Sequence, residues 1–219
     1  MKVAATIRLQ ATSWFVLSAV ALFVAATVFE NAVQGPAASS RPVSELALGQ
    51  NGALLDAAFI LVGFGLVLLA WALHRTVVPG QGKRRACRLL VVAGPQIGLL
   101  GVFHTDRTLV PSTPSGWIHF ILAGSSFLLI LIAFVVFSRA FRRDPRWRLV
   151  GRASTFTTWL AVGAFVAHLV PVVGPPAAAP YEGVMERFLI AAYLLWVVVS
   201  GVHLQRVARA WPATQTTPV

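Results

Sequence analysis

The chain has 219 residues, of which 57% are hydrophobic and only 11% charged, and its formal net charge at neutral pH is +11. An ordinary soluble domain devotes about a quarter of its residues to charge, so this composition excludes a typical water-soluble protein. The single cysteine excludes an intramolecular disulfide and a thiolate metal cage.

Six apolar stretches follow one another, each long enough to cross a bilayer as a helix. A spanning helix needs about 20 mostly apolar residues. Backbone groups in lipid must be paired within helices or a closed barrel, and these runs are too long for barrel strands. The sequence therefore predicts an all-α bundle of three hairpins, with helices at about 13–33, 53–73, 88–105, 117–137, 153–173 and 184–205. We expect the bundle to form a single membrane domain over 1–211, followed by a flexible tail over 212–219.

The basic residues are segregated along the chain. Of the 18 lysines and arginines, 15 lie before the first predicted helix or after the second, fourth and sixth. The positive-inside rule then places both termini in the cytoplasm. This distribution explains the net charge by topology, so we expect the lipid bilayer and no nucleic acid as a partner. The predicted location is the cell membrane, as a multi-pass protein of a bacterial inner membrane.

The third predicted helix contains Gly94 and Pro95 near its middle. Proline removes a backbone hydrogen bond and commonly kinks a helix, which can open a cavity. Alternatively, Gly94, Gly98 and Gly101 allow a neighbouring helix to approach closely. The sequence leaves both readings open.

Acidic residues and histidines concentrate at the helix ends opposite the basic segments. Antiparallel helices bring these ends to one level, where their side chains can converge beneath the surface. Ionisable residues inside spanning helices are costly and mark functional sites by default. We therefore predict a site at this end, with these catalytic candidates: Asp106, His119, Glu186, Asp56, Glu30, His168 and His104.

Aromatic side chains at the same end can line an apolar cavity. Their ring faces attract cations, including a carbocation. The predicted substrate-binding residues are Phe103, Trp117, Phe120, Phe165, Arg187, Tyr193 and Trp196.

Three short motifs carry a family resemblance. Gly101 to Asp106 is followed by His119, and the pair Glu186 and Arg187 precedes Trp196. This pattern resembles a bacterial family of six-helix membrane proteins of unknown function, in which a Gly-x-Phe-Pro-x-Asp turn, a histidine and a Glu/Gln-Arg pair recur. His104 stands at the usual proline position. The resemblance implies the fold and carries over Asp106, His119, Glu186 and Arg187 as site residues, without implying an activity.

Acid-base chemistry on a lipophilic substrate is the first functional hypothesis. A carboxylic acid in an apolar cavity can stay protonated and start the cyclisation of an epoxidised isoprenoid. The architecture is similar to that of small membrane-bound terpene cyclases. The three aspartates are isolated from one another, which disfavours a diphosphate-Mg²⁺ mechanism. No cofactor is expected for this reaction.

Two alternatives remain. His104, His119 and His168 could hold a catalytic zinc with an open fourth position, giving a metal-dependent lipid hydrolase. The same polar groups could instead serve a non-catalytic protein that transports or binds lipids. The sequence does not indicate the oligomeric state.

Overall fold

The computed structural model describes residues 2–107 and 111–210, and every regular element within those ranges is helical. Its α-helices are α1 (Lys2–Gln34), α2 (Val43–Leu46), α3 (Ala53–Thr76), α4 (Gln81–Leu99), α5 (Pro114–Arg143), α6 (Arg148–Val173) and α7 (Glu182–Ala210). Two 3-10 helices lie in the connections, at Pro36–Ser40 and Pro176–Tyr181. The all-α prediction is confirmed, whereas the predicted tail over 212–219 lies outside the described residues.

Five stretches of the described chain are helical, long and apolar enough to cross a membrane: Ala4–Gln34, Ala53–Thr76, Pro114–Arg143, Arg148–Val173 and Ala177–Ala210. The protein is therefore a multi-pass membrane protein. Helix α4 is not among the five, because Lys83, Arg84 and Arg88 lie in its first half. It also begins at Gln81 and ends at Leu99, earlier at both ends than the predicted span over 88–105.

The six long helices form a closed ring. In chain order α1, α3, α4, α5, α6 and α7 each pack against the next, and α7 packs back against α1. A hydrogen bond from Ser13 Oγ to the carbonyl oxygen of Gly201, 2.7 Å long, joins the first helix to the last. We call the end of the ring that carries Glu30 and Glu186 the acidic end, and the opposite end the basic end.

An aromatic stack fills the half of the ring nearer the basic end. The Trp196 side chain is fully buried, and its ring lies 4.0 Å from that of Phe134 at an interplanar angle of 15°. Trp196 Nε1 donates to Ser154 Oγ at 3.0 Å, and Ser138 Oγ lies 2.7 Å from both Ser154 Oγ and Thr158 Oγ1. Stacking and hydroxyl contacts thus join α5, α6 and α7. Trp196, a predicted substrate-binding residue, belongs to this packed core.

Helices α3 and α4 approach each other through glycines. A Cβ atom on Gly63 would lie 2.4 Å from the carbonyl oxygen of Gly94, and one on Gly94 would lie 2.6 Å from that of Gly63. Both distances are too short for a real Cβ contact, so the two backbones occupy the space that side chains would need. Close packing, rather than a cavity opened by Pro95, is the role that this geometry gives Gly94.

Replacing Gly63 by alanine is therefore expected to lower the free energy of unfolding by about 1–3 kcal/mol, because the two backbones must separate to admit one methyl group. Denaturant titration of the purified protein in detergent measures this change. Gly163→Ala is the matched control, since a Cβ at Gly163 meets no atom within 4 Å. Equal stability of the Gly63 and Gly163 variants would contradict the close packing of α3 against α4 at Gly63.

The connection over 35–52 folds over the acidic end. Turn and breaker residues in the sequence predict an irregular loop on the membrane surface over about 34–52, between the first two predicted helices. The connection instead forms a 3-10 helix and the short helix α2. Ala38, Val43 and Leu46 are at most 1% exposed, so their apolar side chains close the ring from above. We call residues 35–52 the cap.

Candidate functional site

Arg187 fastens the cap to the ring. Its Nη1 donates to the carbonyl oxygens of Arg41 at 2.5 Å and Gly183 at 2.8 Å. Its Nη2 donates to Asn31 Oδ1 at 2.9 Å and to the carbonyl oxygen of Ala38 at 3.0 Å. A planar guanidinium suits such divergent contacts. Arg187, predicted to bind substrate, thus contacts α1, α7 and the cap through four hydrogen bonds within the protein.

Glu30 also helps to hold the cap against the ring, through Gln34. Its side chain is fully buried, and Oε2 accepts a hydrogen bond from Gln34 Nε2 at 2.8 Å. Gln34 Nε2 also donates to the carbonyl oxygen of Leu46, and Gln34 Oε1 accepts from Arg41 Nη2 at 2.9 Å. Glu30 therefore faces the underside of the cap.

Asp56 and His104 form a pair of their own. His104 Nε2 lies 3.1 Å from Asp56 Oδ2, and the two side chains are 46% and 21% exposed. This pair links the start of α3 to the turn after α4. Both residues are predicted catalytic candidates, and neither lines the two cavities described below.

Asp106 clamps the loop that leads into α5. Its Oδ2 accepts from the backbone N–H groups of Ser112 at 2.7 Å and Thr113 at 2.9 Å, and its Oδ1 accepts from Thr113 Oγ1 at 2.8 Å. The backbone hydrogen bonds from Thr113 and Ser112 favour the charged form and lower the pKa of Asp106. Thr113 in turn caps α5 by accepting from the N–H of Gly116. A carboxyl held ionised in this way is poorly suited to be the predicted general acid.

Two adjoining cavities lie below the cap. The inner cavity, about 60 Å³, lies among the ring helices and is almost wholly apolar. The lateral groove, about 280 Å³, lies between the acidic-end halves of α5 and α6. The walls of both include these residues: Ser44, His119, Ala123, Phe127 and Glu186.

His119 and Glu186 supply the ionisable groups of that shared wall. His119 is 5% exposed, and its Nδ1 lies 2.7 Å from the carbonyl oxygen of Phe103. Because a carbonyl only accepts, Nδ1 carries the hydrogen and Nε2 is the accepting nitrogen of the neutral ring. Glu186 Oε2 accepts a short hydrogen bond from the backbone N–H of Val43 in the cap. Both candidates are thus oriented by backbone atoms.

Two further carboxyls, Glu45 and Glu182, line the lateral groove and were not among the predicted site residues. Burial raises the pKa of Glu45, and the nearby positive charges of Arg41 and Arg107 partly oppose that rise. His168 also lines the groove, and its Nδ1 is buried without a partner among the described residues. The concentration of acidic residues at this end was the available sequence signal for Glu45 and Glu182.

The predicted aromatic residues other than Trp196 separate into three groups. Tyr193 lines the inner cavity and donates from its hydroxyl to the carbonyl oxygen of Phe127 at 2.9 Å. Phe120 and Phe165 line the lateral groove. Phe103 contributes its carbonyl to His119, and Trp117 is 48% exposed and lines neither cavity.

The predicted zinc ligands do not come together. His104 pairs with Asp56, whereas His168 packs edge-on against the Phe127 ring. Over residues 2–107 and 111–210, no three His, Cys, Asp or Glu side chains are grouped so that they could hold a metal ion. The described geometry therefore offers no support for a three-histidine zinc centre.

Comparison with known proteins identifies a family. No curated protein and no solved structure matches the chain. Residues 17–203 match a family described as "Protein of unknown function (DUF998)". That match spans most of the chain, including all of the acidic-end residues described above. The chain therefore belongs to this family of unknown function.

Proposed function

We propose that the protein crosses the membrane six times with both termini in the cytoplasm. Helix α4 packs between α3 and α5, which are both candidate spans, so it must share their environment. Its charged first half then lies at the basic end, with most of the other arginines. The positive-inside rule places that end in the cytoplasm and the acidic end outside, in a bacterial inner membrane.

We further propose that the protein is an enzyme that binds a lipophilic substrate across the two adjoining cavities, the lateral groove and the inner cavity, and acts on it by acid-base chemistry. The observation that carries the proposal is the position of Glu186 and His119 in the wall shared by the two cavities. An apolar cavity with a few convergent polar groups is the usual form of a small-molecule site. The polar end of a substrate would meet these two side chains.

The reaction that suits this arrangement best is cyclisation of an epoxidised isoprenoid. Glu186 would give its proton to the epoxide oxygen, the C–O bond would break, and an alkene of the chain would attack the resulting cationic carbon. His119 Nε2 would accept the proton lost when the final carbocation becomes an alkene, and would return it to Glu186. The product is a cyclic alcohol isomeric with the substrate, so no cofactor is needed.

The walls of the inner cavity suit the cationic intermediate. The rings of Phe59, Phe127, Phe134 and Tyr193 line it. Aromatic faces stabilise a nearby cation by about 0.5–2 kcal/mol each, more when water is excluded. Because few polar atoms line this cavity, water would seldom capture the carbocation.

Turnover of an epoxidised C15 isoprenoid by the purified protein in lipid nanodiscs tests the proposal. We expect a cyclic alcohol, detected by gas chromatography and mass spectrometry, and a rate about 10²-fold lower for His119→Asn. His104→Asn is the matched control, since His104 also lies at the acidic end but lines neither cavity. Its rate should stay within about twofold of wild type.

Equal rates for the two histidine variants would remove His119 from the mechanism. Binding of the epoxide without any product from the wild type would favour the non-catalytic alternative, a lipid-binding or transport protein. The zinc-dependent hydrolase is not carried forward, because the described residues provide no three-ligand group.

A further inference from the structure

Helices α5 and α6 separate toward the acidic end. Near the basic end they are joined by Ser138, Ser154 and Thr158. Near the acidic end the lateral groove lies between them, and a Cβ on Gly124 of α5 would meet no atom within 4 Å. The space between the two helices is therefore widest in one half of the membrane.

The groove opens sideways rather than toward water alone. Its rim includes Phe120, Leu128 and Leu169, which are 46%, 48% and 38% exposed. Apolar side chains exposed on spanning helices face lipid, so a molecule in the adjoining leaflet has direct access. The inner cavity begins where the groove ends, because five residues line both.

The ionisable groups of the groove are carboxyls and histidines, without a permanent cation among the described lining residues. Its lining contains the carboxyls of Glu45, Asp106, Glu182 and Glu186 but, among the described residues, no lysine or arginine. Arg41 and Arg107 are near Glu45 but are not part of this lining. An anionic head would lie near the ionised carboxylate of Asp106, and no cation in this lining would offset its charge, which is unfavourable in a partly dehydrated site.

Hydrogen-bonding groups for an uncharged head are present in the same lining. His119 is 95% buried, with Nδ1 held by Phe103 and Nε2 left as an acceptor. His168 Nδ1 is buried and has no partner among the described residues. These ring nitrogens can form hydrogen bonds with an uncharged oxygen-containing group, such as a hydroxyl, at the end of an apolar chain.

We infer that the lateral groove is the route by which an unphosphorylated isoprenoid, with an uncharged oxygen-bearing head, enters from the leaflet at the acidic end and reaches the inner cavity. Phosphorylated isoprenoids of the same length are rejected. This inference rests on the proposed function only in assigning the chemistry to the inner cavity, and it is tested by binding alone.

The test uses two photoreactive probes, a diazirine-bearing C15 isoprenoid alcohol and its monophosphate, with the full chain in phosphatidylcholine nanodiscs. Only crosslinks to residues that line the groove or the inner cavity are counted, since the arginines at the basic end will attract the phosphate independently. We expect the alcohol to label these residues at least about tenfold more than the phosphate. In the double variant Glu45→Gln, Glu182→Gln, the ratio of alcohol labelling to phosphate labelling should fall to about threefold or less, because two acidic groups of the groove are removed.

A bulky residue at Gly124 should close the route. Gly124→Trp is expected to reduce alcohol labelling of the inner cavity at least about fivefold, because the indole would fill empty space in the groove. Gly163→Trp is the control: Gly163 is exposed on α6, does not line the groove, and also has free space around its Cα. Equal labelling of the two tryptophan variants, or equal labelling by alcohol and phosphate, would overturn the inference. The expected labelling with unchanged turnover in His119→Asn would overturn the proposed mechanism alone.

Discussion

Glu186→Gln is expected to lower the rate of epoxide cyclisation by about 10²–10⁴-fold, the range by which a positioned acid accelerates proton transfer. Glutamine keeps an oxygen that can accept from the Val43 N–H, so the cap should stay in place. It cannot give a proton to the epoxide. The change therefore removes the chemistry while preserving the shape and apolar surface of the cavity, and steady-state kinetics in nanodiscs measures the loss.

Asp56→Asn provides the comparison for Glu186→Gln. Asp56 is a carboxyl of the acidic end that pairs with His104 and lines neither cavity. Its amide variant should retain turnover within about threefold of wild type. A similar loss in both variants would indicate a general effect of charge at this end, and the specific role of Glu186 would be lost.

Trp196→Ala is expected to have the largest effect on stability, lowering the free energy of unfolding by about 3–5 kcal/mol. The substitution empties a site between Phe134 and Phe141, whose rings stack on the indole. It also deprives Ser154 Oγ of the Nε1 hydrogen bond. Denaturant titration in detergent measures the change, and the variant is expected to retain little of its fold at temperatures that wild type tolerates.

Trp159→Ala is the control that shows whether the loss of stability is specific to Trp196 or follows from removing any tryptophan. Trp159 lies on α6, is 67% exposed and faces lipid. Its replacement should cost less than about 1 kcal/mol, because no packed partner is left behind. If Trp196→Ala were as mild, the aromatic stack would not be the main connection among α5, α6 and α7.

Hydropathy and charge were sufficient to predict the fold class. Long apolar runs have only one stable backbone form in lipid, so an all-α membrane protein followed directly from composition. The bounds of α4 did not follow, because Lys83, Arg84 and Arg85 lie on helical turns that precede the apolar run. The cap was also missed. The first residues of the cap are rich in alanine, proline and serine, a composition typical of loops. The burial of Ala38 depends on contacts with helices that are distant in sequence.

The sequence predicted which end of the bundle carries these polar side chains, but not what each of them contacts. Acidic residues cluster at one end in sequence, and His119 and Glu186 do share a wall there. Asp106 could not be distinguished from them, because its partners are backbone N–H groups of a loop whose conformation the sequence does not reveal. Arg187 was similarly read as free to bind substrate, whereas its guanidinium holds the cap by contacts with carbonyl oxygens.

Single-turnover conversion of bound substrate tests the central claim most directly. Epoxidised isoprenoid is first bound to wild type and to Glu186→Gln in identical nanodiscs, and the products are followed after free substrate is removed. Wild type should release the cyclic alcohol, and the variant should return the bound epoxide unchanged. Cyclic product formed at the same rate by both proteins would contradict the account, as would the absence of product from a wild type that holds the substrate.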